Sequence, residues 1–229
     1  MPDTYVIGDL HGRLDLLDRL MDRINPNLQG DRLIFMGDYI DRGPYPRGVV
    51  DYVLRLKNLA APEGVILLKG NHEAMFLNFL QGRDIELFLF NGGLRTIVDY
   101  WGEDWEEREK LVLPPDHQKF YEELKLYYET PEYIFVHGGL KPGVPLEEQT
   151  EEDLLWIRGE FITSMDDFGG RKVVFGHTPF RRPLIMPNKI GLDTGAVYGN
   201  FLSCLKLPQE EFIFVGPGLE GLNDAKTGD

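Results

Sequence analysis

The chain is poor in cysteine. A single one, Cys204, occurs among 229 residues. That excludes an internal disulfide framework and suits a reducing, cytoplasmic setting. Cys204 lies in the strand-like run Phe201-Leu202-Ser203-Cys204-Leu205, where core packing is the ordinary role of a free thiol. Long apolar runs are also missing. None reaches about 18 residues, so no membrane-spanning helix is expected. The N-terminus, Met1-Pro2-Asp3-Thr4, enters a strand-like stretch without a charged n-region and apolar h-region, which argues against a secretory signal. Basic residues are scarce relative to acidic ones: 24 Lys and Arg against 38 Asp and Glu, a formal charge of −14. A nucleic-acid binder needs a basic excess to neutralise phosphates, so neither nucleic acid nor an anionic membrane surface is expected as a partner. Bound cations would offset part of the negative charge. No internal repeat and no low-complexity linker divides the chain. With hydrophobic residues at 42% and aromatics at 12%, the expectation is one globular domain over 1–229.

What is present is a repeating arrangement of short apolar runs that end in polar, glycine-containing turns. Runs at 4–7, 32–36 and 65–68 read as buried strands. Between them, 14–24 and 46–59 carry apolar residues at helical spacing: Leu14, Leu17, Met21 and Ile24 in the first, and Val49, Val53 and Leu56 in the second. A third helix begins near Asn71, with Met75, Phe76, Phe79 and Leu80 on its inner face. Strand–helix alternation of this kind predicts an α/β domain with parallel strands in its first half. Further strands are expected at 133–136 and 172–175. A short helix is expected at 151–157, and closely spaced strands from 184 to 215 suggest an antiparallel second sheet. The glycine-rich tail from 216 to 229 reads as frayed. The segment at about 83–130 is rich in aromatics and charge, with a helix expected over 118–128. It reads as a helical cap packed on the domain or as a lid that shapes substrate access.

Each strand through residue 177 ends at residues able to bind a metal or a phosphate. Asp9 and His11 follow the first, Asp38 the second, Asn71 and His72 the third, and His137 and His177 the next two. Ligands of open α/β folds gather at the carboxyl ends of strands, so residues far apart in sequence can converge there. His117 is the one histidine outside the pattern and reads as solvated on a polar helix. The set mixes carboxylate, amide oxygen and imidazole and has no thiolate, which suits Mn²⁺, Fe or Zn²⁺ better than a cysteine-rich structural zinc site. The turn Gly37-Asp38-Tyr39-Ile40-Asp41-Arg42-Gly43 adds a second carboxylate and an arginine that can hold phosphate oxygens.

These blocks resemble the signature of the phosphoprotein phosphatase (serine/threonine protein phosphatase) family within the calcineurin-like metallophosphoesterase superfamily. The similar blocks are Gly8-Asp9-Leu10-His11-Gly12, Gly37 to Gly43, Gly70-Asn71-His72-Glu73, His137-Gly138-Gly139 and Gly176-His177-Thr178. Trp156-Ile157-Arg158 and the closing Leu192 to Tyr198 block are similar as well. The likeness spans roughly 4–205 and is greatest to small bacterial and phage members. It implies a two-sheet β-sandwich flanked by helices. It also implies two metal ions, with Mn²⁺ the first choice: Asp9, His11 and Asp38 would hold one, and Asp38, Asn71, His137 and His177 the other. A hydroxide bridging the two would attack phosphorus in line. His72 would then be the general acid and Asp41 its orienting partner. Arg42 and Arg158, with Asn71, would bind the substrate's phosphate. A surface ion pair with Glu160 or Asp153 is the alternative for Arg158.

The implied activity is metal-dependent hydrolysis of phosphate monoesters, with phosphoserine or phosphothreonine in proteins as substrate. Hydrolysis of symmetrical diadenosine tetraphosphate is the alternative, since it uses the same motifs on an anhydride. A base pocket would require exposed aromatic rings, for which Trp101, Trp105 and Tyr198 are candidates, although each could equally be a core residue. A non-catalytic binding module would not be expected to retain the full ligand set together with His72, Arg42 and Arg158.

Overall fold

In the computed structural model, which describes residues 2–217 and 219, ten strands form two five-stranded sheets. The first holds β1 (Thr4–Ile7), β2 (Arg32–Phe35) and β3 (Val65–Leu67) in parallel. The second holds β5 (Tyr133–Val136), β6 (Lys172–Phe175) and β8 (Lys189–Gly191) in parallel, edged by the antiparallel β4 (Tyr127–Glu129) and β7 (Leu184–Met186). The last two strands, β9 (Leu202–Leu207) and β10 (Glu211–Val215), extend the first sheet beyond β1. Most of the tail read as frayed, from 220 onward, lies outside the described residues.

The alternation of side chains explains the layering. Val6, Ile34 and Ile66 face Phe135, Val174 and Ile190 in a core between the sheets. Their neighbours Tyr5, Ile7, Leu33 and Phe35 point the other way, into a core shared with the helices α1 (Leu14–Ile24), α2 (Pro46–Leu59) and α3 (Asn71–Leu80). On the far side, Ile134, Val136, Val173 and Phe175 pack against Leu154 and Phe161. Strands that are apolar on both faces must be covered on both, and this chain does so with one sheet and one helical layer each. The fold is thus a two-sheet sandwich flanked by helices. No described helix is long and apolar enough to cross a membrane.

Three expectations require correction. The late strands do not build one antiparallel sheet: β8 runs parallel beside β6, and β9 and β10 return to the first sheet. Periodicity within a strand carries no information about which distant strand it pairs with. The helix expected over 118–128 is α6 (Pro115–Glu122), and Tyr127–Glu129 is the edge strand β4. The two tyrosines prefer a pleated, half-buried surface. His117 is buried, not solvated: its ring lies between Tyr100 Oη (2.7 Å) and Asp51 Oδ1 (2.9 Å) and ties α6 to its neighbours.

The 83–130 segment contains α4 (Ile85–Phe90), α5 (Leu94–Trp101) and α6. It joins the body through Phe76 of α3, whose ring centroid lies 5.5 Å from Phe88, 6.0 Å from Tyr100, 6.1 Å from Trp101 and 5.1 Å from Tyr121. Trp101 is buried and donates its indole N–H to Val112 O, and Trp105 packs partly buried against the same core. The Trp101 indole is therefore not free to take a nucleobase. Removing the hub ring should cost about 3–5 kcal/mol. Phe76→Ala is therefore expected to show that loss in chemical denaturation, and a change below about 1 kcal/mol would mean the segment is held elsewhere.

Candidate active site

The parallel strands of both sheets release their chains at a common edge. Asp9 and His11 follow β1, Asp38 follows β2, Asn71 and His72 open α3 after β3, His137 follows β5 and His177 follows β6. All seven are buried. Two clusters of donor atoms result, and Asp38 belongs to both: it stands with His11 and His72 on one side and with His137 and His177 on the other. Asp38 Oδ2 is 3.4 Å from His11 Nε2, and Asp38 Oδ1 is 3.4 Å from His137 Nε2. Asn71 Oδ1 sits 2.9 Å from both His137 Nε2 and His177 Nδ1. Asp9 reaches the group through Oδ2, which accepts the peptide N–H of His177 at 2.8 Å, while its buried Oδ1 has no hydrogen-bond partner among the described residues.

The backbone is bent to achieve this. His11, Asp38, Asp41, Arg42 and His177 all have positive φ, between 42° and 69°. Non-glycine residues in that region cost free energy, and such positions cluster at functional sites. Glu73 supports the bend. Its carboxylate accepts the N–H groups of Asp38, Tyr39 and Gly70, each at 2.9 Å, binding the end of β2 to the start of α3. Gly70 must be glycine here, because a Cβ would lie 2.6 Å from Glu73 Oε2 and closer still to Asp38. Glu73, at the third position of α3, reaches back to the N–H of Gly70 as in one half of a helix-capping box, the half that needs no side chain at Gly70.

Hydrogen bonds set the imidazoles apart. His11 Nδ1–H donates to Ile40 O (2.9 Å) and His137 Nδ1–H to Met36 O (2.8 Å), which turns both Nε2 lone pairs inward. Arg42 Nη1 donates to His11 Nε2 at 2.6 Å, consistent with that tautomer. Burial pushes His11 down to about 3 and His177 down to about 2, and it lowers His137 as well. Neutral imidazole is the form that binds a metal. His72 goes the other way. Burial works against its charge, but Asp38 and the hydrogen bond to Asp41 outweigh it and raise its pKa. His72 Nδ1 lies 2.6 Å from Asp41 Oδ2, and its Nε2 faces Asp38 Oδ2 at 4.0 Å.

Carboxylates crowd the same space. Asp9 is pushed well above its usual range, chiefly by burial and then by Asp193 and Asp38. Burial raises Asp193, which lies in the closing block but has no role assigned from the sequence, to about 6. Asp193 follows β8 in the same way that His177 follows β6. Arg158 lies close enough for its charge to disfavour protonation of His137 and His177. Beside it, Trp156 presents its ring edge-on to His177 at 6.1 Å, and Tyr198 lies under the Arg42 guanidinium at 5.7 Å.

Residues 3–202 match the model of the calcineurin-like phosphoesterase family. A relative from Halalkalibacterium halodurans, named bis(5'-nucleosyl)-tetraphosphatase PrpE [asymmetrical], is 28% identical over 92% of each chain. Serine/threonine-protein phosphatase 1 of Salmonella typhimurium is 30% identical over 89% of this chain and 91% of its own. Among solved structures, one assigned provisionally as a diadenosine tetraphosphatase superposes with a TM-score of 0.72 at 24% identity, covering 94% of this chain and 96% of its own. A serine/threonine phosphatase of Saccharomyces cerevisiae gives 0.63 at 16%, covering 93% and 79%. At these identities the two structures speak for the fold. The family match is broader and more direct: the chain belongs to the calcineurin-like phosphoesterase family and is a hydrolase of phosphoesters.

Proposed function

We propose that this protein is a metal-dependent phosphomonoesterase acting on phosphorylated serine or threonine side chains. The observation that carries the proposal is the buried His72–Asp41 pair beside the shared Asp38 carboxylate. The donor set fits two divalent cations. Asp9, His11 and Asp38 would hold one, and Asp38, Asn71, His137 and His177 the other. The unpartnered Asp9 Oδ1, the inward Nε2 lone pairs and the crowding of buried carboxylates all favour cation binding. Oxygen and nitrogen donors without thiolate suit Mn²⁺ first, with Fe or Zn²⁺ as alternatives. Two cations held there would acidify a bound water and neutralise phosphate oxygens.

The chain's own residues supply the rest. Arg42 and Arg158 carry fixed positive charge at the rim, where each can hold non-bridging phosphate oxygens and stabilise the charge that builds in the transition state. Asn71 turns its carbonyl oxygen to the histidines, and its amide nitrogen can assist at the phosphate. Asp38 and Asp41 raise the pKa of His72, which favours a proton there, whereas burial lowers those of the histidines proposed as metal ligands. An alkoxide leaving group needs that proton as the ester bond breaks. Asp41 holds Nδ1–H, which aims Nε2 into the site. A polyphosphate leaving group is a stable anion and requires less protonation, so the His72–Asp41 pair favours the ester.

Hydrolysis of a dinucleoside polyphosphate is the second reading. Trp156 is 36% and Tyr198 65% exposed; Tyr198 lies under the Arg42 guanidinium and Trp156 stands edge-on to His177, and a nucleobase could stack on either ring. The PrpE-type relatives favour this substrate by name, with asymmetrical cleavage where the sequence reading carried the symmetrical form.

Asp38→Ala is expected to lose both cations in metal analysis, because Asp38 is the only shared ligand, and two ions per chain in that variant would contradict the assignment. His72→Asn should lower kcat for a phosphothreonine peptide by about 100-fold, with much less loss for an aryl phosphate and with metal content retained; equal losses would exclude the proton-donor role. Turnover with Mn²⁺ of an aryl phosphate, a phosphothreonine peptide and diadenosine tetraphosphate, compared side by side, decides the substrate. The proposal expects the peptide to be preferred over the dinucleotide, and a strong preference for the dinucleotide would replace it with the second reading.

A further inference from the structure

The 83–130 segment reaches the catalytic turn from behind. Gly92 O accepts the N–H of Arg42 at 3.3 Å, and Asp99 Oδ2 accepts the N–H of Arg47 at 2.9 Å. Between these contacts, Thr96 of α5 is fully buried and makes a reciprocal pair with Asp41. The Thr96 hydroxyl donates to Asp41 Oδ1 at 2.5 Å and accepts the Asp41 peptide N–H at 3.0 Å. Asp41 itself is fully buried and has φ of 69°. Its other oxygen, Oδ2, meets His72 Nδ1 at 2.6 Å.

We infer that Thr96 is a positioning residue for proton transfer: its hydroxyl fixes both the left-handed backbone and the carboxylate rotamer of Asp41, so that Oδ2 holds His72 Nδ1–H and Nε2 is aimed into the site. A carboxylate with one oxygen free could rotate about its Cβ–Cγ bond and present either oxygen, or neither, to His72. With Oδ1 held by Thr96, rotation would break a buried hydrogen bond. Breaking it is costly, because a buried acceptor that loses its donor bears its desolvation penalty uncompensated. The peptide N–H of Asp41 is equally bound to the same hydroxyl, so one side chain controls two degrees of freedom of its neighbour. The 83–130 segment thereby acts on the reaction through a hydrogen-bonded chain, Thr96 to Asp41 to His72, without touching the substrate.

This inference rests on His72 being the proton donor, and the experiment separates the two. Thr96→Val keeps the shape and removes the hydroxyl, while Thr96→Ser keeps the hydroxyl. Thr96→Val is expected to lower kcat for a phosphothreonine peptide by about 10-fold or more, with KM within about twofold and an aryl phosphate affected far less. Thr96→Ser should restore the rate. In an Asp41→Asn background, Thr96→Val should add no further loss, as expected for residues acting as a unit. Independently of turnover, the full chain loaded with diamagnetic Zn²⁺ should show a low-field proton resonance for His72 Nδ1–H, identified by its absence in His72→Asn. That resonance should shift or vanish in Thr96→Val and persist in Thr96→Ser. An unshifted resonance in Thr96→Val, or losses that multiply in the double variant, would overturn the positioning role. If His72→Asn slows both substrates equally while the resonance still depends on Thr96, the proton-donor reading fails and the placement of Asp41 by Thr96 stands.

Discussion

The structure depends on keeping one carboxylate, Asp38, ionised inside the protein. Burial alone would protonate it. The imidazoles of His137, His72, His11 and His177 surround it, and protonated His72, the one of the four whose own pKa is raised, favours its ionised form, while the peptide N–H of His72 donates to Oδ1 at 3.1 Å. The rest of the architecture can be read as the means of bringing those imidazoles to that point. Parallel strands are needed in both sheets so that their carboxyl ends share an edge, and helices on both outer faces are needed because parallel strands are buried on both sides.

Convergence has a cost in backbone strain and in crowding. Five site residues stand in the left-handed region without being glycine, and Asp9 is driven well above its usual range, chiefly by burial and then by the other carboxylates nearby. The compensation is local. Glu73 gathers three peptide N–H groups, Thr96 satisfies both the carboxylate and the peptide of Asp41, and Asp38 accepts the N–H that opens α3. Strain of this kind persists where the surroundings over-determine it. It also leaves a site poised for cations, since positive charge would relieve the crowding and use the lone pairs already turned inward.

Much of this was legible in the sequence, for a physical reason. Short apolar runs that end in Gly-Asp, Gly-Asn or a histidine announce both a strand and its functional end, so Asp9, Asp38, Asn71, His137 and His177 could be named before any topology was known. The less legible features depend on partners far away in the chain. Nothing near residue 202 says that β9 returns to pair with β1. His117 sits in a polar helix, and its burial follows from Tyr100 and Asp51, which lie in other helices. Thr96 follows the Asn91-Gly92-Gly93 turn and looks like an ordinary helical threonine; its link to Asp41 spans 55 residues. The trio of positive-φ residues at 38, 41 and 42 is likewise a tertiary outcome, since neither aspartate nor arginine carries glycine's preference for that region.

In the proposed site Asp38, which belongs to both donor clusters, stands between two cations. Anomalous diffraction from crystals grown with Mn²⁺, collected on either side of the manganese absorption edge, tests it most directly. The account predicts two anomalous peaks, each within bonding distance of the Asp38 carboxylate, one flanked by Asp9 and His11 and the other by Asn71, His137 and His177. A single peak, or two peaks of which only one touches Asp38, would contradict it.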